Sequence, residues 1–255
     1  MGSTSEQFAR YHQSVASRLR YAQAQHNLQE MHELEGSLRV LDAAGGNGLN
    51  TQHLLEKGHE VTLLDSDPEM LDQARQRLGQ LGLLEACRLV EGRLEEITKL
   101  LPAEQFDLIL CHHVVEYTDD VPKILKSFSG VAGRSGELSL VTLNPVSEVI
   151  RAVVFRRDPS LAESKLTDLS YDAKWFGAAR LLSLDQIETW SSENGWSIRD
   201  FRGIRILADY IGQEAADSRE QDLLRLETRL AGLEPYRRFG RYLQFCMGRT
   251  DRAGG

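Results

Sequence analysis

The run Leu38-Arg39-Val40-Leu41-Asp42-Ala43-Ala44-Gly45-Gly46-Asn47-Gly48 constrains this chain more than any other stretch. An apolar, β-rich segment that ends in an acid and breaks into small residues and glycines reads as strand, tight loop and helix start. Glycine there lets backbone amides come close to a ligand. A second apolar run, Val61 to Leu64, is closed by Asp65. That is about the distance at which α/β nucleotide folds place the carboxylate that binds a ribose. Two acids and a glycine turn point to an adenosine-containing cofactor.

Charge and spacing narrow the choice. A dinucleotide fingerprint needs a third glycine so that the helix N-terminus can hold a pyrophosphate, but Gly46 and Gly48 are followed by Thr51 in that place. Asp42 would also face the pyrophosphate as a like charge, and the P-loop pattern is missing altogether. S-adenosylmethionine has no phosphate and carries a cationic sulfonium and ammonium, so an acid beside the loop attracts it. The stretch resembles the first motif of class I methyltransferases. Ala44 stands where that family usually has its first glycine, a mild replacement if the position keeps φ below zero.

The remaining composition is that of an ordinary water-exposed fold, with 41% hydrophobic and 27% charged residues in 255. No apolar run approaches the roughly twenty residues of a membrane span, and the N-terminus lacks a signal peptide's apolar segment. The expectation is a cytoplasmic protein with no membrane partner. Cys87, Cys111 and Cys246 are few and scattered, so neither a disulfide framework nor a zinc site is indicated. A net charge of −8 argues against binding nucleic acid by bulk electrostatics, though it leaves room for a local basic patch.

Along the chain, a helical stretch at about 5–34 carries Phe8, Tyr11, Val15, Leu19 and Ala22 at three- and four-residue steps and is expected as an N-terminal lid. Arg18 and Arg20 lie beside that stripe, where most charges simply face water. Asp67-Pro68-Glu69 is a strong helix start running through Met70, Leu71, Ala74 and Leu78. A strand at Arg88 to Glu91, a helix near Leu94 to Leu100 and a strand at Phe106 to Cys111 continue the alternation, which means a parallel sheet with right-handed crossovers. His112, His113 and Glu116 follow that last strand, where ligands sit in open α/β sheets. Three potential ligands without a fourth are weak evidence for a metal, and none is expected. Asp119-Asp120 caps a helix from Val121 to Phe128, Gly133 to Gly136 reads as a turn, and Glu137 to Leu143 is the fifth strand.

Between Val146 and Leu182 the alternation stops. Arg151, Arg156, Arg157, Lys165 and Lys174 fall there with Phe155, Tyr171, Trp175 and Phe176. Basic residues among aromatics suit a splayed nucleotide, and equally a cap over an anionic or aromatic small molecule. Ser183 to Glu193 is a helix, Trp196 to Arg202 a strand, Asp222 to Leu230 a charged helix, and Tyr242 to Gly248 the final strand at the sheet's edge pair. The expected fold is α/β, Rossmann-like, with a mostly parallel seven-stranded sheet and helices on both faces. One methyltransferase domain is expected over 1–250, with the lid at 5–34, an inserted substrate cap at 146–182, and a tail at 251–255.

In the C-terminal third the runs Gly203-Ile204-Arg205, Asp209-Tyr210, Leu226-Glu227-Thr228-Arg229, Glu234-Pro235-Tyr236 and Gly240-Arg241-Tyr242 resemble the bacterial tRNA 5-carboxymethoxyuridine methyltransferase family. That family methylates the carboxylate of a modified wobble uridine. The likeness extends through Leu38 to Asp42, Gly58-His59 and Asp107 to Leu110 with His112, while the 146–182 segment matches poorly. It implies S-adenosyl-L-methionine as cofactor, with Arg20, Gly45, Asp65, His112, Arg93 and Leu94 at its site. Asp42, Ala44, Gly46, Gly48, Ser66 and Met70 complete the expected cofactor set.

A carboxylate acceptor is already an anion at neutral pH, so no general base is required and no catalytic residue is assigned. Arg205 and Arg241, with Tyr210, Tyr236 and Tyr242, are the candidates for gripping it, because guanidinium holds carboxylate in a bidentate fork. Two other readings stand beside this one. An O- or N-methyltransferase acting on a small-molecule metabolite would want a base, with His112 or His113 the first candidates. A subunit that binds cofactor without catalysis is the third. The acceptor, tRNA or small molecule, and the oligomeric state stay open at this level.

Overall fold

The computed structural model describes residues 14–32, 34–102, 105–173 and 177–250. Phe8 and Tyr11 of the expected lid, and Lys174, Trp175 and Phe176 of the expected cap, lie outside the described residues. The chain divides into two compact units. One, here the sheet unit, comprises Met31–Val141, Leu184–Asp200 and the C-terminal segment from Phe245. The other, the helical unit, comprises Thr142–Ser183, Phe201–Gln244 and the N-terminal segment through Glu30.

The sheet unit contains residues of all seven strands of one sheet: β1 Arg39–Ala43, β2 Glu60–Asp65, β3 Cys87–Glu91, β4 Phe106–His112, β5 Ala132–Leu143, β8 Trp196–Ile204 and β9 Tyr242–Arg249. Their order is β3-β2-β1-β4-β5-β9-β8, so the two late strands form the edge pair as expected. Strands β3, β2, β1, β4 and β5 pair in parallel. Val40, Leu41, Leu63, Leu64, Leu108, Ile109, Leu110 and Leu140 are almost wholly buried. Such near-continuous apolar runs belong to strands covered on both faces. The helices between them start on strong local signals. Asp67 accepts the amides of Glu69 and Met70 at the head of Pro68–Gln80, and Asp120 accepts that of Lys123 at the head of Val121–Val131. Trp196 is fully buried and donates its indole N–H to the Leu125 carbonyl at 2.9 Å.

One expectation fails here. Gly133 to Gly136 is not a turn. It lies inside β5, opposite a register shift between Phe106 and Leu108. A Cβ on Gly136 would come within 2.8 Å of the Phe106 carbonyl oxygen, so the glycine serves close strand approach at a bulge rather than chain reversal.

The helical unit holds α1 Val15–Met31 up to Glu30, followed in chain order by Pro145–Val154, Pro159–Ser164, the antiparallel hairpin β6 Ser170–Ala173 with β7 Gly177–Arg180, then Gln213–Ser218 and Glu220–Leu230. The buried stripe of α1 is Val15, Leu19, Arg20, Gln23, Ala24, Asn27 and Leu28. It passes through Ala24 rather than Ala22, and with Ser17, which is buried too, four of its members are polar. Val15 and Leu19 pack with Ala208, Ala216 and Leu223.

Candidate active site

The sheet reverses its strand order between β1 and β4, and ligands in open α/β sheets bind at the carboxyl ends of strands beside such a switch. Four neighbouring parallel strands deliver the expected cofactor residues to that end. Asp42 and the loop Ala44 to Gly48 follow β1, Asp65 to Met70 follow β2, Arg93 and Leu94 follow β3, and His112 ends β4.

The loop is tied from two sides. The amides of Ala44 and Gly45 donate to the Leu64 carbonyl at 2.7 and 3.2 Å, and the Gly46 amide donates to Asp65 Oδ2 at 2.8 Å. The other Asp65 oxygen accepts the amide of Asp67 at 2.9 Å. Asp65 therefore shapes the loop itself. Asp42 is buried and accepts the Thr51 hydroxyl at 2.6 Å. Burial pushes its carboxyl up to about 6, opposed by the Thr51 hydrogen bond and assisted by the nearby charge of Asp65. A Cβ on Gly45 would stand 2.8 Å from both Asp42 Cγ and Leu63 Cγ, so only glycine lets the backbone lie against the acid. Ala44 departs from expectation. Its φ is +59, in the left-handed region, so alanine is strained there rather than a mild substitute for glycine.

His112 is half-buried and pinned, with Nε2 3.0 Å from the Ser139 hydroxyl and Nδ1 3.4 Å from Asn50 Nδ2. Asn50 and Ser139 went unnoticed in the sequence because each is a common residue with no local signature, and Thr51 was noticed only as the residue in place of a third glycine. Arg93 is exposed, its side chain beside Glu95, and Leu94 is buried. Ser66 is exposed and Met70 half-buried at the head of their helix. His32, Glu137 and Cys246 also come together in the sheet unit, but Glu137 is held by Arg199 as well as by His32. Its charge is met by an ion-pair network.

The remaining candidates fall in the helical unit, and most gather around one ring. The guanidinium carbons of Arg20, Arg205 and Arg241 lie 5.9, 5.9 and 5.8 Å from the centre of the Tyr242 ring. Burial alone would raise the Tyr242 phenol, but those three cations outweigh it and hold it below its ordinary value. Arg20 is thus a buried member of an arginine group, not a solvated surface charge, whereas Arg18 is exposed and pairs with Glu220 at 2.6 Å. Arg241 is also bound to Glu148, to the Ser147 hydroxyl at 3.2 Å and to the Tyr171 hydroxyl at 2.9 Å. Arg205 donates to Asp209 at 2.8 Å through Nε, and Arg151 reaches the other Asp209 oxygen at 2.8 Å. Tyr210 stacks on Phe155 with ring centres 5.7 Å apart. Tyr236 is set apart, exposed on the short helix Tyr236–Phe239. Lys165 pairs with Asp168, and Arg156, Arg157 and Leu166 are exposed.

Glu227 is the residue the sequence hid. It is fully buried and accepts the backbone amides of Ile206 and Leu207, both at 2.7 Å, that of Ala208, and the Gln23 side-chain amide at 3.1 Å. The amide of Arg205, at φ +56, donates to Gln23 Oε1 at 2.9 Å. The turn that presents Arg205 is therefore built on Glu227 and Gln23. The signal was present in principle: Leu223, Glu227 and Leu230 form the buried stripe of their helix, and an acid on an apolar stripe needs a partner.

A seven-stranded sheet in this order, with a glycine loop after β1 and acids at the ends of β1 and β2, defines a class I S-adenosylmethionine-dependent methyltransferase. Residues 41–140 match the model of the methyltransferase domain family. The tRNA 5-carboxymethoxyuridine methyltransferase of Escherichia coli (strain K12) is 31% identical over 212 residues, covering 81% of this chain and 78% of that one. The chain belongs to that methyltransferase family. It is also 34% identical over 115 residues to the ubiquinone biosynthesis O-methyltransferase of Xanthomonas euvesicatoria pv. vesicatoria (strain 85-10), covering 44% of this chain and 45% of the relative. In fold it matches an S-adenosylmethionine dependent methyltransferase from Mesorhizobium loti, with a TM-score of 0.64 and 18% identity over 91% of this chain and all of that one. The methyl donor is S-adenosylmethionine. The buried acid at Asp42, the close-packed Gly45 and the carboxylate of Asp65 fit that cationic, ribose-bearing molecule.

Proposed function

We propose that this methyltransferase esterifies the carboxylate of 5-carboxymethoxyuridine at the tRNA wobble position, giving the methyl ester. The observation that carries the reading is the grouping of Arg20, Arg205 and Arg241 around Tyr242, a concentration of buried positive charge in an acidic protein. The extended likeness to the Escherichia coli tRNA enzyme supports it. A tRNA acceptor also implies work in the cytoplasm, and among the described residues no helix is long and apolar enough to cross a membrane.

S-adenosylmethionine supplies an electrophilic methyl group on a good leaving sulfur. Asp42, the Ala44 to Gly48 loop, Asp65, Ser66, Met70, Arg93, Leu94 and His112 are the residues we assign to holding it. An ionised carboxylate attacks without a base, so the chain's task is to strip it of water and aim it in line. Arg205 and Arg241 supply fixed positive charge for that, while Tyr210 and Tyr242 line the same group of residues. Because ionisation of a carboxylate is complete above about pH 6, the rate of such a transfer at saturating donor should be flat from there upward.

A second reading, O- or N-methylation of a small-molecule metabolite, is favoured by the partial likeness to the ubiquinone-pathway enzyme. His112, anchored between Ser139 and Asn50, would then be the candidate base. Labelled methyl transfer to purified tRNA bearing 5-carboxymethoxyuridine, beside unmodified tRNA and a small-molecule cell fraction, separates the two. Label in the modified tRNA that is released by mild alkaline hydrolysis supports the ester. Label confined to the small-molecule fraction overturns it.

A further inference from the structure

The helical unit contains a cavity of about 260 Å³ whose two walls differ in chemistry. Val15, Leu19 and Ala216 form the apolar wall, and Arg151, Arg205 and Asp209 the polar one. We propose that this cavity is the acceptor's seat, taking an organic carboxylate with a single-ring body, and that Asp209 occupies the carboxylate's place until the acceptor arrives. The inference rests on the carboxylate reading above and adds Arg151 and Asp209 to it.

Three observations carry it. The first is size: the cavity falls just below the roughly 300 Å³ at which pockets for drug-sized ligands begin, which suits one ring with a short acidic arm. The second is charge. Asp209 lies between two guanidinium groups, one on each carboxylate oxygen at 2.8 Å, and Glu148, 3.6 Å from Arg151, is shared with Arg241, so three arginines face two acids and Asp209 has both oxygens engaged. A cationic ligand would meet two arginines before it met an acid already in use. An incoming carboxylate competes with Asp209 for the two guanidinium groups, each a planar fork of donors. The third is support. Arg205 sits on the turn fastened by Glu227, and Arg151 lies 5.0 Å from the Phe155 ring, whose partner is Tyr210. Both forks therefore have a hold other than Asp209, Arg205 through its turn and Arg151 through Glu148 at 3.6 Å, and keep their places when Asp209 lets go.

The test uses the full-length enzyme and two readouts: methyl-transfer kinetics with tRNA bearing 5-carboxymethoxyuridine, and equilibrium binding of the free 5-carboxymethoxyuridine nucleoside against its neutral methyl ester. Arg151→Gln should raise the acceptor KM and weaken nucleoside binding at least tenfold, with donor affinity unchanged. Asp209→Asn should tighten nucleoside binding several-fold, because the internal competitor has lost its charge. Ala16→Leu, on the cavity wall, narrows the seat without touching either arginine and should raise KM while thermal stability stays at wild type. Wild-type nucleoside affinity in Arg151→Gln and Ala16→Leu, or weaker affinity in Asp209→Asn, overturns the seat even if tRNA is esterified. If no tRNA is esterified but the nucleoside binds and Arg151→Gln abolishes that binding, the seat survives and the tRNA assignment falls. Equal binding of the nucleoside and its methyl ester overturns the carboxylate preference.

Discussion

The hydroxyl of Thr51 donates to the buried carboxylate of Asp42 at 2.6 Å, one turn into the helix that follows the glycine loop. That bond lowers the acid's proton affinity, yet burial outweighs it and the carboxyl titrates at about 6. Between about pH 4 and pH 6 the folded protein therefore binds a proton that the unfolded chain does not. Stability falls as pH rises through that window, by about 3 kcal/mol at most from this group. A cationic methyl donor reverses the preference, because it favours the ionised acid. Its affinity should rise roughly tenfold from pH 5 to pH 7, following the ionised fraction of a group at about 6. Titration calorimetry across that range checks this, and Asp42→Asn should bind weakly with the pH dependence gone.

Ala44 holds a left-handed conformation that costs an alanine about 1 kcal/mol relative to glycine. Ala44→Gly should stabilise the protein by that amount, raising Tm by roughly 2–4 °C. Scanning calorimetry at fixed pH is sufficient, and a lower Tm would refute the assignment of strain.

Glu227→Ala removes the acceptor of three backbone amides in a fully buried place. Each unsatisfied buried donor costs about 1–3 kcal/mol, so a loss of at least about 3 kcal/mol is expected in urea unfolding. Glu227→Gln keeps one oxygen and should cost about half as much. In the glutamine variant the acceptor KM should rise while donor affinity holds, since the turn carrying Arg205 is what has been loosened.

Arg241→Ala should raise the acceptor KM at least tenfold with donor affinity unchanged. Arg241→Lys should recover only part of it, because an ammonium cannot reach Ser147, Glu148 and Tyr171 together as the planar fork does. Unchanged turnover and acceptor affinity in Arg241→Ala would remove this residue from the acceptor group.

What the sequence disclosed follows the range of the forces involved. The β1 strand, the glycine loop and the Asp67-Pro68 helix start depend on contacts within a few residues, and each appears where it is expected. Ala44 lies in a loop tied to a carbonyl on the next strand, and Gly136 answers to the Phe106 carbonyl. Neither constraint is visible locally. The arginine group is the extreme case: Arg20, Arg205 and Arg241 meet only because three distant segments fold together, and Glu227 acts on backbone some twenty residues before it. The family likeness marked the three arginines without revealing what joins them.

The residues assigned to the methyl donor run from Asp42 to His112 in one continuous length of chain, whereas those assigned to the acceptor come from α1, from the 147–171 stretch and from beyond Gly203. The two sets can therefore change at different rates in descent. A lineage can trade one acceptor for another by replacing chain outside 42–112 and inherit its donor chemistry intact.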